Sequence, residues 1–320
     1  MRRELVTRVR ETLIKAEFNV SEEHHLKSIS FDLVARRDNL LLFIKVVTNV
    51  DALSEENAQE LKLLSNILGG FALSVGEHCG SGPLDDDVIY SRFGIPIMTL
   101  ETLRQYFVEE TAPVIFAAPG GYYVRLDGGM LRRIRETRGI SLGDVADAAG
   151  VSRRSIQLYE EGGRRALVDV ALRIEDYLGV PLICPVDPVL SSHDVNVDDF
   201  KDSLGSITET FQAAFAHLMD AGCHVVSTSH SPFETLLEEK RDIMLTGVAT
   251  YERSLVKKAK VIGDVSCIVE KESVVVVDRK SRREEIDGTP IVSIQEILER
   301  GTLEEILELI KERAKDGNAR

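Results

Sequence analysis

One window of twenty residues constrains the centre of this chain more tightly than any other stretch. Counting from Leu142, the fifth residue is Ala146 and the ninth is Gly150. Apolar residues recur at the spacing of two short helices packed together: Val145, Ala149, Val151, Ile156 and Tyr159. A small fifth residue lets the helices approach closely, and glycine accepts the positive φ of a sharp turn. The window therefore predicts two short helices that cross steeply at a tight turn.

The second of these helices leaves polar side chains exposed near its start. Arginine pairs bidentately with guanine and glutamine with adenine, so we expect Arg153, Arg154 and Gln157 to contact bases. Hydroxyl groups and helix N-termini suit phosphates, so we expect Ser152 and Ser155 to contact phosphate or base. The alternative is that all five are solvated side chains on a helix with no DNA partner.

The surrounding segment, residues 131–180, resembles a complete Cro/λ-repressor-type (Xre) helix-turn-helix domain. The resemblance rests on the arginine-rich first helix, on Glu160 before Gly162, and on the closing RIEDYLGV. It implies a domain of five helices, and we expect further DNA contacts from Ser141, Arg164 and Arg165. Two positions depart from the family pattern. Leu142 stands where many members have a glutamine that contacts phosphate, and Ala166 stands where proline is usual.

The charge is distributed unevenly along the chain. The formal net charge is −14, yet residues 128–180 contain nine arginines and eight acids, which leaves −15 for the remainder. Acidic flanks discourage unspecific nucleic-acid binding and leave specific contacts to one face. Affinity for DNA should still fall with salt, with a log–log slope of about −0.9 for each phosphate contacted.

An N-terminal segment, FDLVARRDNLLLFIKVV, resembles the metal-binding hairpin of restriction-endonuclease-like (PD-(D/E)xK) enzymes. Asp32 fits the first acidic position and Lys45 the lysine, but Phe43 occupies the glutamate position. An aromatic ring cannot bind Mg²⁺, and a single carboxylate is a poor site. We therefore expect a degenerate nuclease scaffold, used for dimerisation or ligand sensing, in which Asp32 and Lys45 pair across the hairpin.

A weak internal repeat links the two ends of the chain. GIPIMTLETL at Gly94 is echoed by GTPIVSIQEI at Gly288, and the N-terminal hairpin segment is echoed by FETLLEEKRDIMLTGVA. In this second copy Glu234 replaces the aspartate, and Thr246, Gly247 and Val248 occupy the region of the Glu-x-Lys motif without an acid or a lysine. We expect duplication of one α/β domain. The alternative is that both segments share only a common order of helices and strands.

These patterns predict a multidomain chain of α/β and all-α parts, which its 320 residues allow. The predicted fold is a central five-helix Xre-type domain flanked by two restriction-endonuclease-like α/β domains. The predicted boundaries are a degenerate nuclease-like domain at 1–110, a hairpin linker at 111–128, the helix-turn-helix domain at 129–184, a linker at 185–203, and a second α/β domain at 204–320. This order resembles a family of archaeal HTH-type transcriptional regulators that are themselves predicted from sequence.

Several classes of protein are disfavoured. The first helix is amphipathic and no apolar stretch could span a bilayer, so we expect a cytoplasmic protein without a membrane partner. The four cysteines form no CxxC pair, and Cys223 with three nearby histidines lacks metal-site spacing. Because no glycine-rich phosphate loop is present either, we expect no cofactor, no metal and no enzymatic activity.

The leading hypothesis is a sequence-specific transcriptional regulator that binds double-stranded DNA as a homodimer and responds to an unidentified effector. A single Xre domain contacts one half-site, so two are usually needed. One alternative is a bridging factor that holds transcription machinery without reading bases. The least favoured alternative is a Mg²⁺-dependent nuclease.

Overall fold

The computed structural model describes residues 2–23, 30–189, 207–239, 242–250 and 253–317. These residues form two compact units, each assembled from segments distant in sequence. Unit 1 contains the described parts of residues 1–16, 47–53 and 73–192, and unit 2 those of 17–46, 54–72 and 193–320. Only residues 185–189 of the linker predicted at 185–203 lie within the described residues, and the predicted domain boundaries stay a prediction.

The chain up to residue 126 alternates helices with strands. The helices are α1 (Arg2–Lys15), α2 (Glu55–Ile67) and α3 (Leu100–Phe107), with a 3₁₀ turn at Val50–Ala52. The strands are β1 (Asn19–Val20), β2 (Leu33–Arg37), β3 (Leu40–Asn49), β4 (Phe71–Cys79), β5 (Gly82–Pro83), β6 (Val88–Arg92), β7 (Ile95–Met98), β8 (Ile115–Ala118) and β9 (Gly121–Leu126). Two of these helices begin at side-chain caps, because Ser54 accepts the Asn57 N–H and Thr99 accepts the Thr102 N–H.

The first helix of unit 1 is α1, which is amphipathic as predicted. Its apolar stripe of Leu5, Val9 and Leu13 is buried. Helix α1 packs against α3. Beside them β4 pairs in parallel with β7, and β6 pairs antiparallel with β7 and in parallel with β8. Strands β8 and β9 form the hairpin that the sequence predicts around Pro119–Gly121. This hairpin leads directly into the helical module.

The helical module of unit 1 contains four helices, so the prediction of five is wrong. Its elements are α4 (Gly128–Thr137), α5 (Leu142–Ala149), α6 (Arg153–Glu160), β10 (Ala166–Leu167), α7 (Val168–Leu178) and β11 (Ile183–Cys184). After Gly179 turns the chain at φ 61°, the Glu175 carboxylate accepts the N–H groups of Leu182 and Ile183. The chain is thereby held extended, and β11 pairs with β9, so residues 180–184 add no helix to the four.

The C-terminal part of unit 2 is a mixed sheet with helices on both faces. Its helices are α8 (Glu209–Asp220), α9 (Arg253–Val269), α10 (Ile294–Leu298) and α11 (Leu303–Gly317). Its strands are β12 (His224–Ser227), β13 (Thr235–Glu239), β14 (Asp242–Ala249), β15 (Glu272–Val277), β16 (Glu285–Ile286) and β17 (Thr289–Ser293). The strand order is β12-β13-β14-β15-β17-β16, with β14, β15 and β17 parallel. Apolar residues of α8, α10 and α11 cover one face.

The two predicted repeats share their strand registers. In the β2–β3 hairpin Leu33 pairs with Ile44, and in the β13–β14 hairpin Thr235 pairs with Thr246, each 202 residues further on. The glycines of the sequence echo adopt nearly the same backbone conformation, with φ 75° at Gly94 and 78° at Gly288. The geometry is that expected of two copies of one domain, while duplication as its origin stays a prediction.

Candidate nucleic-acid interface

The turn between α5 and α6 is closed by backbone hydrogen bonds. Ser141 and Asp144 form a reciprocal capping box at the start of α5, where each side chain bonds the other residue's N–H. At the other end Gly150 has φ 70°, and the Val151 N–H donates to the Ala146 carbonyl at 2.9 Å. The positive φ was predicted from the position of Gly150, whereas the capping box and the Val151–Ala146 hydrogen bond were not predicted.

The apolar frame that the sequence predicts seals the two helices together. Val145, Ala146, Ala149, Ile156 and Tyr159 are buried in one cluster, with Val151 packed against it. Burial raises the pKa of the Tyr159 phenol, because the charged form loses solvation. Leu142, the departure from the family pattern, also packs against this cluster and so contributes to the core.

A second anchor fixes α6 from the side of α4. The Arg135 guanidinium donates to both Glu160 oxygens, at 2.6 and 3.0 Å. Both side chains are largely buried, with 13% and 7% exposed, and the hydrogen bonds from Arg135 to Glu160 raise the pKa of Arg135. Gly128 allows the approach, since a Cβ atom there would lie 2.2 Å from the Tyr159 carbonyl oxygen. Sequence reasoning used Glu160 only as a family marker and missed this partner.

The predicted base-reading residues lie within the first five residues of α6. Arg153, Arg154 and Gln157 are exposed, as is Ser152, while Ser155 is half-buried. Ser152 caps the helix by accepting the Ser155 N–H at 3.1 Å, and the two hydroxyl oxygens lie 2.9 Å apart. The Gln157 amide donates to Glu161 at 2.9 Å, which holds its side chain along the helix.

The Arg153 guanidinium lies across the start of α5. A Cβ atom on Gly143 would come within 3.0 Å of the Nε and Nη2 atoms of Arg153. Arg153 therefore rests on a bare stretch of backbone beside the α5 N-terminus while its side chain remains exposed. Sequence reasoning missed the role of Gly143, although a glycine inside a predicted helix was the available signal.

The remaining predicted contacts flank α6. Ser141 is exposed at the start of α5, and Arg164 and Arg165 are exposed in the segment after α6. The Arg165 guanidinium stacks over the Phe116 ring at 4.3 Å, so the β8–β9 hairpin positions it. All eight predicted residues thus belong to the helical module of unit 1, and five of them lie on or immediately before α6.

In the nuclease-like hairpin, the residues at the metal-ligand positions make other contacts. Asp32 accepts the Val46 N–H at 2.8 Å, and its carboxylate lies 3.8 Å from Lys45 Nζ, which confirms the predicted pairing. Phe43 is fully buried and packs edge-on against Phe31 at 5.5 Å between ring centroids. Among the described residues Asp32 joins no group of three acids, histidines or cysteines that could hold a metal, and its pairing with lysine differs from the several oxygen ligands that Mg²⁺ takes.

Two segments of this chain match known protein families. Residues 2–113 match the PD-(D/E)XK superfamily domain, and residues 131–183 match the helix-turn-helix domain. A protein from Methanocella arvoryzae is 36% identical over 99% of both chains, and one from Methanosarcina mazei is 34% identical over 97% of both. A protein from Archaeoglobus fulgidus is 33% identical over 97% of this chain and 98% of its own. All three are named as predicted HTH-type transcriptional regulatory proteins.

The chain belongs to this archaeal family of HTH-type regulatory proteins. No solved structure matches it. In this family member, no helix of the described residues is both long and apolar enough to cross a bilayer.

The second hairpin of this family member also contains an acid–lysine pair, but its lysine comes from a different element. Glu234 accepts the Val248 N–H at 2.7 Å, as Asp32 does from Val46. Its partner is Lys258 of α9, which pairs with Glu234 and also donates to the Val248 carbonyl at 2.6 Å. Gly247 stands at the position of Lys45, so the lysine of this pair comes from a helix and not from the strand. Sequence reasoning missed Lys258 because it compared strand positions only.

Loops join the two hairpin regions within unit 2. The Glu60 carboxylate of α2 accepts the N–H groups of Ser229 and His230, and the Ser30 N–H donates to the His230 carbonyl at 2.6 Å. Conversely, the Glu22 N–H donates to Asp264 of α9 at 2.8 Å. A loop of each repeat is thus hydrogen-bonded to a helix of the other repeat.

The residues weighed as metal ligands are engaged elsewhere. His217 Nε2 lies 2.8 Å from the Arg300 carbonyl oxygen, and His230 Nδ1 lies 3.2 Å from Glu60. In the part of the chain that the structure describes, no three histidine, cysteine or acidic side chains converge on one point as metal ligands.

Proposed function

We propose that this protein is a sequence-specific DNA-binding transcriptional regulator that inserts the N-terminal half of α6 into the major groove. The observation that carries the proposal is the exposure of Arg153, Arg154 and Gln157 on one rigidly anchored helix. The capped turn, the buried frame and the Arg135–Glu160 pair fix this helix before DNA arrives. A preformed surface loses little conformational entropy on binding.

In this proposal each side chain has a distinct role. Arg153 and Arg154 pair with guanine, and Gln157 exchanges its bond to Glu161 for adenine. Ser152 and Ser155 contact phosphate or base near the positive end of the helix dipole. Ser141, Arg164 and Arg165 bind phosphates on either side, with Arg165 presented from Phe116.

The regulator acts as a homodimer in this proposal. One Xre-type module covers a single half-site, and two modules bind half-sites about 34–36 Å apart. The remainder of the chain outside residues 128–180 carries a net charge of −15. This charge repels phosphate and so suppresses unspecific binding. The dimer contacts and any effector are assigned to the α/β domains, which we propose arose by duplication.

The relatives' names and the helix-turn-helix match support this regulatory role over a purely structural one. Selection from random double-stranded DNA by the full chain, at about 150 mM salt, tests it. We expect enrichment of a symmetric site with two half-sites. A bridging factor would enrich no sequence, and enrichment of one unpaired half-site would contradict the dimer alone.

We further propose that the PD-(D/E)XK part is not a nuclease. Phe43 fills the position of the second acidic ligand from inside the core, and Asp32 is neutralised by Lys45. Incubation of the full chain with its selected DNA and Mg²⁺ should leave the DNA intact. Cleavage that disappears in Asp32→Ala would overturn this proposal, and cleavage retained in that variant would point to a contaminating nuclease.

A further inference from the structure

The C-terminal sheet of unit 2 encloses a cavity that the proposed DNA-binding function does not use. The cavity has a volume of about 220 Å³ and lies between the strands and helices α8, α10 and α11. Its wall is aliphatic over most of its area, with Leu237, Met244 and Val274 on the sheet and Ile306, Leu307 and Ile310 on α11. The aliphatic part of this wall favours an apolar guest.

The mouth of the cavity carries both signs of charge. Strands β14 and β15 run in parallel, so their first residues share one edge of the sheet. There Asp242, Lys271 and Glu272 border the cavity, and Lys311 of α11 borders it from the helix side. Within the described residues these four side chains have no ion-pair partner. Glu270, also at the mouth, pairs with Arg36 at 3.2 Å and is therefore compensated.

Two free acids and two free lysines around an apolar cavity define the ligand chemically. An apolar molecule would leave all four charges unused, and a fatty acid would engage only the lysines. A zwitterion engages both signs, with its carboxylate near Lys271 and Lys311 and its ammonium near Asp242 and Glu272. An apolar cavity of about 150 Å³ accepts benzene, so 220 Å³ accepts an aliphatic or aromatic side chain.

We propose that this cavity binds a free α-amino acid with a large apolar side chain. The side chain occupies the space beneath α11, and the charged head remains at the edge of the sheet. Binding here is independent of whether α6 binds DNA, so the two proposals can fail separately.

Isothermal titration calorimetry with the full chain tests the chemistry of the ligand. The probes are L-leucine and L-phenylalanine, with 4-methylpentanoate and 3-methylbutylamine as analogues of leucine that carry only one charge. We expect at least one amino acid to bind, and each single-charge analogue to bind the chain at least about tenfold more weakly than leucine. Equal binding of leucine and either analogue would overturn the zwitterion assignment. No heat from either amino acid at about 10 mM would overturn the proposal.

Two variants locate the binding site. Leu307→Trp fills the cavity from α11, whereas Leu309→Trp changes a half-buried leucine on the same helix that does not line it. We expect loss of binding in the first and retention in the second, with both folded by circular dichroism. The double variant Lys271→Ala/Lys311→Ala spares the core and should weaken binding at least about tenfold. Unchanged affinity in the double variant, or retained binding in folded Leu307→Trp, would place the ligand elsewhere.

Discussion

At the scale of single residues, Gly143 determines where the Arg153 guanidinium can lie. The three atoms nearest to a Cβ at this position all belong to the flexible end of Arg153, the closest at 3.0 Å. We predict that Gly143→Ala displaces Arg153 and lowers affinity for the selected site about tenfold. The free energy of unfolding should change little, because no backbone atom is displaced. DNA titration and urea unfolding measure the two effects, and unchanged affinity would show that Arg153 does not act from this position.

Gly128 and Gly129 are neighbours in α4 with opposite surroundings, and they form a matched pair. A Cβ atom on Gly128 would lie 2.2 Å from the Tyr159 carbonyl oxygen and 2.6 Å from that of Glu160. On Gly129 its nearest neighbour, Asp127 Oδ1, would be 3.5 Å away. Backbone cannot move as a side chain can, so α4 must separate from α6 in the first variant.

We therefore predict that Gly128→Ala destabilises the protein by at least about 2 kcal/mol. Gly129→Ala should be neutral or stabilising, since alanine favours helix over glycine. Thermal unfolding of the two variants beside the unaltered protein provides the measurement. Equal melting temperatures for both variants would contradict the close packing of α4 on α6.

At the scale of elements, Glu296 ties α10 to α11 and makes their packing sensitive to acid. Burial alone would raise the pKa of this carboxyl, but hydrogen bonds from Arg313 and Ser293 outweigh it and lower the pKa to about 2. Arg313 is itself buried and also donates to the Ile291 carbonyl. Because the folded pKa lies below the ordinary 4.5, the stabilisation is present above pH 4.5 and is lost as pH falls towards 2.

We predict that Glu296→Gln lowers the free energy of unfolding by about 2 kcal/mol near neutral pH. The difference from the unaltered protein should shrink by roughly half near pH 3, where the carboxyl is protonated in the unfolded chain but still largely ionised in the native one. Glu299→Gln, on the exposed side of the same turn, serves as control and should show neither effect. Urea unfolding across this pH range measures both, and a difference independent of pH would contradict the low pKa.

Elements whose signals are local could be predicted from sequence. The α5–α6 turn follows from one glycine and one alanine, and the caps at Ser54 and Thr99 follow from the residues beside them. The predicted count of five helices was wrong because the fourth helix ends at Leu178, and Glu175 then holds Leu182 and Ile183 in an extended segment. Nothing near residue 182 itself signals that contact.

The candidate interface divides in the same way. The exposure of Arg153, Arg154 and Gln157 follows from helical periodicity, since the apolar frame occupies the other face. The contact that anchors α6 does not follow from periodicity, because Glu160 pairs with Arg135, which lies 25 residues away in sequence. Phe116 likewise lies far in sequence from Arg165, which it holds. Contacts of this kind depend on tertiary packing that periodicity does not encode.

At the scale of the whole molecule, the hairpin registers and the acid–lysine pairs relate the two ends of the chain. In each hairpin, a carboxylate that accepts a strand N–H also pairs with a lysine. The pairs are Asp32–Lys45 and Glu234–Lys258, and the two lysines come from different elements. The sequence echo indicated the second hairpin, but a lysine that lies on a helix in place of the strand leaves no match at the aligned position. In both copies the carboxylate now joins elements of the fold.

The central claim is that the exposed face of α6 reads bases. Parallel selections from random DNA, with the unaltered chain and with Arg153→Ala and Gln157→Ala, test it most directly. Arg279→Ala, an exposed arginine of the C-terminal part, is the charge-matched control. We predict that each α6 variant loses its base preference at one position of each half-site, guanine for Arg153 and adenine for Gln157, while the control keeps the full site. Identical enriched sequences from all four proteins, or no enrichment from the unaltered chain, would contradict the account.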